Sequence, residues 1–173
     1  FEHFGIVPDI MTVAKGLASG MPISGVFSRM ELMKKWIPGS HGGTFGGNAV
    51  SSAAAVATIQ AMKEEDMLGN AWRRGEQLIA GLRHLQEEFP VIGDVRGLGL
   101  MIGTEFRNPK DKKPDKATAK AVVHACQEKQ LLLLTCGPWD NTVRWIPPLI
   151  VTQEQINHAL GVFEAALREV TTS

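Results

Sequence analysis

The sequence predicts an α/β chain in two parts. Residues 1–64 carry the end of a larger domain, and residues 65–173 form an α+β unit of their own. Three observations predict this. An apolar run at 9–15 has the character of a strand buried on both faces. An Ala-rich run at 49–62 is small or apolar almost all round, as in a helix packed inside a domain. From Met67 onward the pattern changes to one-faced helices alternating with short apolar runs.

The elements follow in chain order. The first strand ends at Lys15, and Gly16 to Gly25 is a loop rich in Gly, Pro and Ser. Gly25 to Ser28 is a second short strand, and Arg29 to Trp36 a short helix. Next comes Pro38-Gly39-Ser40-His41-Gly42-Gly43-Thr44-Phe45-Gly46-Gly47-Asn48, whose last residue has the side chain of an N-cap for the Ala-rich helix. Ala71, Leu78, Leu82, Leu85 and Phe89 fall on one face of a helix over Met67 to Phe89. Beyond Pro90 and Val95, Leu98, Leu100, Ile102 and Phe106 read as one face of a packed strand with glycines opposite. A polar loop, Arg107 to Lys116, precedes a helix through Ala121, Val122 and Ala125. Leu131 to Thr135 and Val143 to Ile146 are strands around a turn at Gly137 to Asn141. Thr152 to Gln155 has the form of a capping box and opens a final helix with Ile156, Leu160, Phe163 and Leu167 on one face.

Composition narrows the function. Basic and acidic residues balance at 18 each, so no electrostatic footprint favours nucleic acid or an anionic membrane. No apolar stretch reaches spanning length and no secretory signal opens the chain, which begins at Phe1 and reads as processed or partial. Cys126 and Cys136 lack paired spacing, as expected of reduced thiols in a cytoplasmic protein. The five histidines have no ligand spacing, so no metal is expected. Gly97 to Gly103 misses the dinucleotide-binding spacing, and Lys110, Lys112 and Lys113 alternate with acids in what reads as a solvated loop.

Three places carry chemistry. Lys15 ends an apolar strand and enters a glycine turn, which suits an amine presented into a covered pocket. Desolvation there disfavours the ammonium and favours a nucleophile able to form a Schiff base with a carbonyl cofactor. The glycines around Gly43, the Thr44 hydroxyl and the positive end of the following helix suit a phosphate, although no Lys-Ser/Thr of a P-loop follows. Arg144 lies in an apolar strand stopped by Pro147 and Pro148. There it either clamps a substrate carboxylate or pairs with an acid of the same chain. Ser40 and His41 are adjacent without an orienting acid and do not read as nucleophile and base.

Taken in order, these segments resemble the class III pyridoxal-phosphate aminotransferases, most nearly the 4-aminobutyrate aminotransferase-like group. Phe4 to Leu17 is similar to the family's run ending in the cofactor lysine, and Met21 to Gly25 to its next loop. His41 to Asn48 resembles the phosphate-side motif, and Val95 to Met101 and Val143 to Leu149 the small-domain signatures. The resemblance implies a fold-type I transferase: the end of the large domain over 1–64, then the small C-terminal domain over 65–173. It further implies pyridoxal 5′-phosphate held by Lys15, with Gly43 and Thr44 on its phosphate, Thr44 acting from the neighbouring subunit of a homodimer. Arg144 would bind the carboxylate of an amino or oxo acid. The implied reaction moves an amino group from an amino acid or ω-amine to a 2-oxo acid such as 2-oxoglutarate. The family's segments upstream of the lysine strand, including the aspartate on the cofactor ring nitrogen, have no counterpart here. A truncated, inactive form is therefore expected. Acetylornithine or ornithine transamination, aminomutase activity and a non-catalytic dimerising remnant are the competing readings.

Overall fold

The computed structural model describes residues 1–172 and divides the chain into two compact units, Phe1–Glu65 and the residues from Asp66 onward. In the first, strands β1 (Ile10–Val13) and β2 (Gly25–Ser28) pair antiparallel, Ile10 opposite Ser28 and Val13 opposite Gly25. Asp9 ties the ribbon's end. Its carboxylate accepts from Arg29 at 2.6 Å, and its carbonyl accepts from the Ser28 hydroxyl at 2.7 Å. A 3-10 turn, Lys15–Ala18, follows β1, and helices α1 (Met30–Met33) and α2 (Ala49–Glu64) complete the unit. Asn48 caps α2 as its sequence predicts: Oδ1 accepts from the Ser51 N–H at 3.1 Å. The helix packs on the 3-10 turn, burying Ala18, and Thr58 Oγ1 pairs with Ser19 Oγ at 3.1 Å.

Two expectations for this unit are corrected. The strand predicted to be buried on both faces has Ile10 59% exposed, and the helix predicted to be enclosed has Val56 57% exposed. A two-stranded ribbon satisfies its hydrogen bonds but leaves both faces open unless a further layer packs on it. Likewise α2 packs chiefly on the short turn, and its buried residues are Ser51 and Ala55.

The second unit is an antiparallel sheet covered by three helices. Strands β3 (Ile92–Leu98), β4 (Met101–Phe106), β5 (Leu134–Cys136) and β6 (Thr142–Trp145) lie in the order β3-β4-β6-β5. Helices α3 (Met67–Glu88), α4 (Lys116–Glu128) and α5 (Gln153–Thr171) pack on it and on one another. Alternate strand residues Val95, Ile102, Phe106, Val143 and Trp145 meet Leu78, Leu82, Val122, Phe163 and Leu167 of the helices in one core. Phe163 stands edge-on to Trp145, with ring centroids 5.0 Å apart. Polar atoms taken into this core are satisfied: Trp145 Nε1 donates to Thr104 Oγ1 at 3.0 Å, and Asn141 Nδ2 to the Phe106 carbonyl at 2.8 Å. The capping box of α5 forms in both directions, Gln155 N–H to Thr152 Oγ1 and Thr152 N–H to Gln155 Oε1. No helix among the described residues is long and apolar enough to cross a membrane.

The packed strand expected over 98–106 is instead a hairpin. Leu98 pairs with Met101 across a two-residue loop whose first residue, Gly99, has φ 54°. Leu100 therefore turns inward and is buried, while Leu98 is 38% exposed. The strand expected from Leu131 starts three residues later, because Leu134 pairs with Arg144 and the chain beyond Trp145 runs into Pro147 and Pro148.

The same hairpin predicts a stability effect. A Cβ on Gly75 of α3 would lie 2.2 Å from the Gly99 carbonyl oxygen, whereas one on Gly161 of α5 would meet nothing within 4 Å. Gly75→Ala is expected to lower unfolding stability by about 2 kcal/mol despite its better helix propensity. Gly161→Ala should raise it by about 0.5–1 kcal/mol. Urea unfolding of both variants checks the pair.

Candidate active site

β1 delivers Lys15 at the point where the strand gives way to the 3-10 turn, and the residue sits at φ 57°, in the left-handed region. A cavity of about 540 Å³ opens beside it, walled by Lys15, Ser24, His41, Gly43, Asn48 and Ser51. The glycine segment forms part of the same wall. It is folded by two turns, Gly46 N–H to the Gly43 carbonyl and Asn48 N–H to the Phe45 carbonyl, both 3.1 Å. The structure thus brings Lys15 and Gly43 to one cavity. Thr44 is not among the residues lining it, and Arg144 belongs to the other unit. The sequence predicts a covered Lys15; in the structure its side chain is exposed, because the single layer of the ribbon leaves that side open.

Arg144 lies on β6 with its neighbours Val143 and Trp145 buried, so it points to the sheet face away from the core. Across the strands it stands beside Gly103 on one side and Leu134 on the other. It also borders an apolar cavity of about 300 Å³ with Leu132, Leu134, Trp145, Ile146 and Ile156. Among the described residues it makes no hydrogen bond or ion pair. The intramolecular ion pair, one of the two sequence alternatives, is not formed among the described residues.

On the same face, one cluster escaped the sequence reading. Glu105 of β4 accepts from Arg96 and Arg107, each at 2.7 Å, and Asp94 accepts from Arg96 at 2.6 Å. Its signal was there: Asp94 and Arg96, like Glu105 and Arg107, are two apart and so share a strand face. The acids of this cluster, Asp94 and Glu105, are taken up by Arg96 and Arg107. The Glu105 side chain is 13% exposed. Burial alone would push its carboxyl up, but the hydrogen bonds and charges of Arg107 and Arg96 together hold it below the usual 4.5. A carboxyl depressed in the folded state stabilises the fold above its ordinary range, and that contribution is lost as pH falls through the folded value. Thermal stability is therefore expected to drop on acidification below about pH 4.5. Glu105→Gln should flatten that part of the profile; calorimetry across pH 3 to 7, about the carboxylate range, reads it.

The aminotransferase class-III family profile matches residues 1–167. The chain belongs to the class III aminotransferases. It is 38% identical over 169 residues to the 4-aminobutyrate aminotransferase GabT of Escherichia coli, covering 97% of this chain and 40% of that protein. Against the acetylornithine aminotransferase of Thermosynechococcus vestitus it is 42% identical over 169 residues, covering 96% and 39%. A transaminase structure from the marine bacterium Virgibacillus superposes with a TM-score of 0.90 at 30% identity, over 99% of this chain and 41% of that one. The chain thus spans about 40% of the length of the curated relatives it matches. Its fold is accordingly α/β, a portion of the fold-type I transferase.

Proposed function

We propose that this chain supplies the lysine-bearing and carboxylate-binding parts of a pyridoxal 5′-phosphate-dependent transaminase. The observation that carries this is the placing of Lys15 and the glycine segment on one cavity, in a chain of class III sequence along almost its whole length. The residues fit the cofactor's two ends. A primary amine matches a carbonyl, and a glycine loop opening the 16-residue helix α2 matches a phosphate. Bound pyridoxal phosphate supplies an electron sink for the carbon that loses its proton. Lys15 Nζ would hold the cofactor through its carbonyl carbon; displaced there by the donor's amine, the freed amine would carry a proton between the substrate carbon and the cofactor carbon that receives the amino group. Gly43 approaches the phosphate with its backbone, and Thr44 serves the cofactor of the neighbouring subunit in a homodimer. Arg144 receives the carboxylate of the amino or oxo acid in a bidentate pair that fixes its orientation.

The donor is a 4-aminobutyrate-like ω-amino acid and the acceptor a 2-oxo acid such as 2-oxoglutarate. The likeness to GabT supports this, and the likeness to an acetylornithine aminotransferase keeps that donor as the second reading. Donor profiling of the enzyme with 2-oxoglutarate separates them. Glutamate formed fastest from 4-aminobutyrate supports the first, faster formation from N-acetylornithine selects the second, and none from any amine rejects transamination.

A further inference from the structure

We propose that Gly103 is a specificity-determining residue: the gap it leaves beside Arg144 receives the substrate's carboxylate and the carbon next to it. The inference rests on the carboxylate role of Arg144 and adds on which side of the guanidinium that carboxylate lies. Gly103 of β4 is the direct partner of Arg144 on β6 and of Arg96 on β3. Cross-strand partners present their side chains to the same sheet face. One row on the face away from the core therefore runs Arg96, Gly103, Arg144, Leu134. Two strand spacings, about 10 Å, separate the backbones of the two arginines, and the strand between them projects nothing larger than a hydrogen atom.

Packing accounts for other glycines of this unit better than for this one. A Cβ on Gly75 would lie 2.2 Å from the Gly99 carbonyl oxygen, and one on Gly97 would lie 2.3 Å from the Met101 carbonyl oxygen. Both obstacles are backbone. Gly103 has no positive φ, and a Cβ there would first meet a side-chain methyl, Thr142 Cγ2, at 3.0 Å. That methyl can yield by a few tenths of an ångström, so the fold admits alanine at modest cost.

The chemistry of the row selects the side. Leu134, on the other flank of Arg144, is 61% exposed and offers only aliphatic carbon. A carboxylate pressed against it loses water without gaining a hydrogen bond. Over Gly103 nothing obstructs the guanidinium, and a carboxylate can accept two parallel N–H bonds there. At the far side of the gap, Arg96 donates to Asp94 at 2.6 Å and to Glu105 at 2.7 Å, so its charge is already matched and Arg144 keeps the anion. The carbon bearing the carboxylate then stands over Gly103, where any side chain would meet it.

The test follows the Arg144 Nε–H resonance of the whole chain, assigned by its loss in Arg144→Ala. The chain is titrated with 4-aminobutyrate and with 4-amino-2-methylbutyrate, which carries a methyl on the carbon next to the carboxylate. Gly103→Ala is expected to weaken 4-aminobutyrate by about threefold and the methyl derivative by about 30-fold, because there one methyl group meets another. Gly103→Ala/Thr142→Ser separates binding from packing, since it removes the Cγ2 methyl against which the new Cβ presses. Measured against Thr142→Ser, its thermal unfolding should recover while the tenfold difference between the two acids persists, as expected for about one methyl. Unchanged affinities in Gly103→Ala, equal losses for the two acids, or a difference that vanishes in the double variant would each overturn the role of Gly103 and leave Arg144 as the carboxylate ligand. No movement of the Arg144 resonance with either acid in the parent chain overturns both.

Discussion

Lys15→Ala is expected to lower the turnover of the transaminating enzyme by on the order of 10⁴-fold, because one side chain both holds the cofactor and moves the proton. Lys15→Arg should be nearly as inactive: it keeps the positive charge but not an amine that can lose a proton and attack a carbonyl. A small primary amine added in solution should restore part of the alanine variant's rate, since it can take up the vacated role of proton carrier. Steady-state rates for the two variants, with and without added amine, check this. Lys15 sits at φ 57° where the strand gives way to the 3-10 turn, and it lines the same cavity as the glycine segment.

The second large effect belongs to Arg144. Arg144→Ala is expected to raise the KM of a carboxylate-bearing donor by about 100-fold, the value of losing a bidentate charged pair. A donor amine without a carboxylate should be unaffected. Arg144→Lys should recover only part of the loss, because an ammonium is a point charge without the planar fork. The prediction depends on the guanidinium being free, and the neighbouring ion pairs make it so. Arg96 and Arg107 take the carboxylates of Asp94 and Glu105, leaving no acid of that cluster for Arg144. If KM for both donor types rose together, Arg144 would be supporting the sheet rather than reading a carboxylate.

What the sequence made legible was local or periodic. Asn48 and Thr152 announce helix starts because a cap is a bond between residues three apart. Leu78, Leu82 and Leu85 announce a buried face because a helix imposes its own period. The hairpin at Gly99 was lost because apolar residues continue on both sides of a two-residue loop, so the alternation reads as one strand. Burial of β1 and α2 was overestimated for a different reason. Apolar composition records what a segment can bury, while exposure depends on which layers pack against it.

The candidate site divides in the same way. Lys15, Gly43, Thr44 and Arg144 stand out as candidates because strand ends, glycine clusters and a cation among apolar residues are visible in one dimension. The Glu105 cluster needed the register that sets Asp94 against Glu105, which only the folded sheet supplies.

The central claim is that Lys15 is the residue that binds pyridoxal 5′-phosphate. It is tested by treating the chain with the cofactor, reducing with borohydride, and locating the label by intact mass and peptide mapping. The account predicts one pyridoxyl group per chain, on the peptide containing Lys15 and absent from Lys15→Ala. No adduct, or label spread over Lys34, Lys35, Lys63 and other exposed lysines, would contradict it.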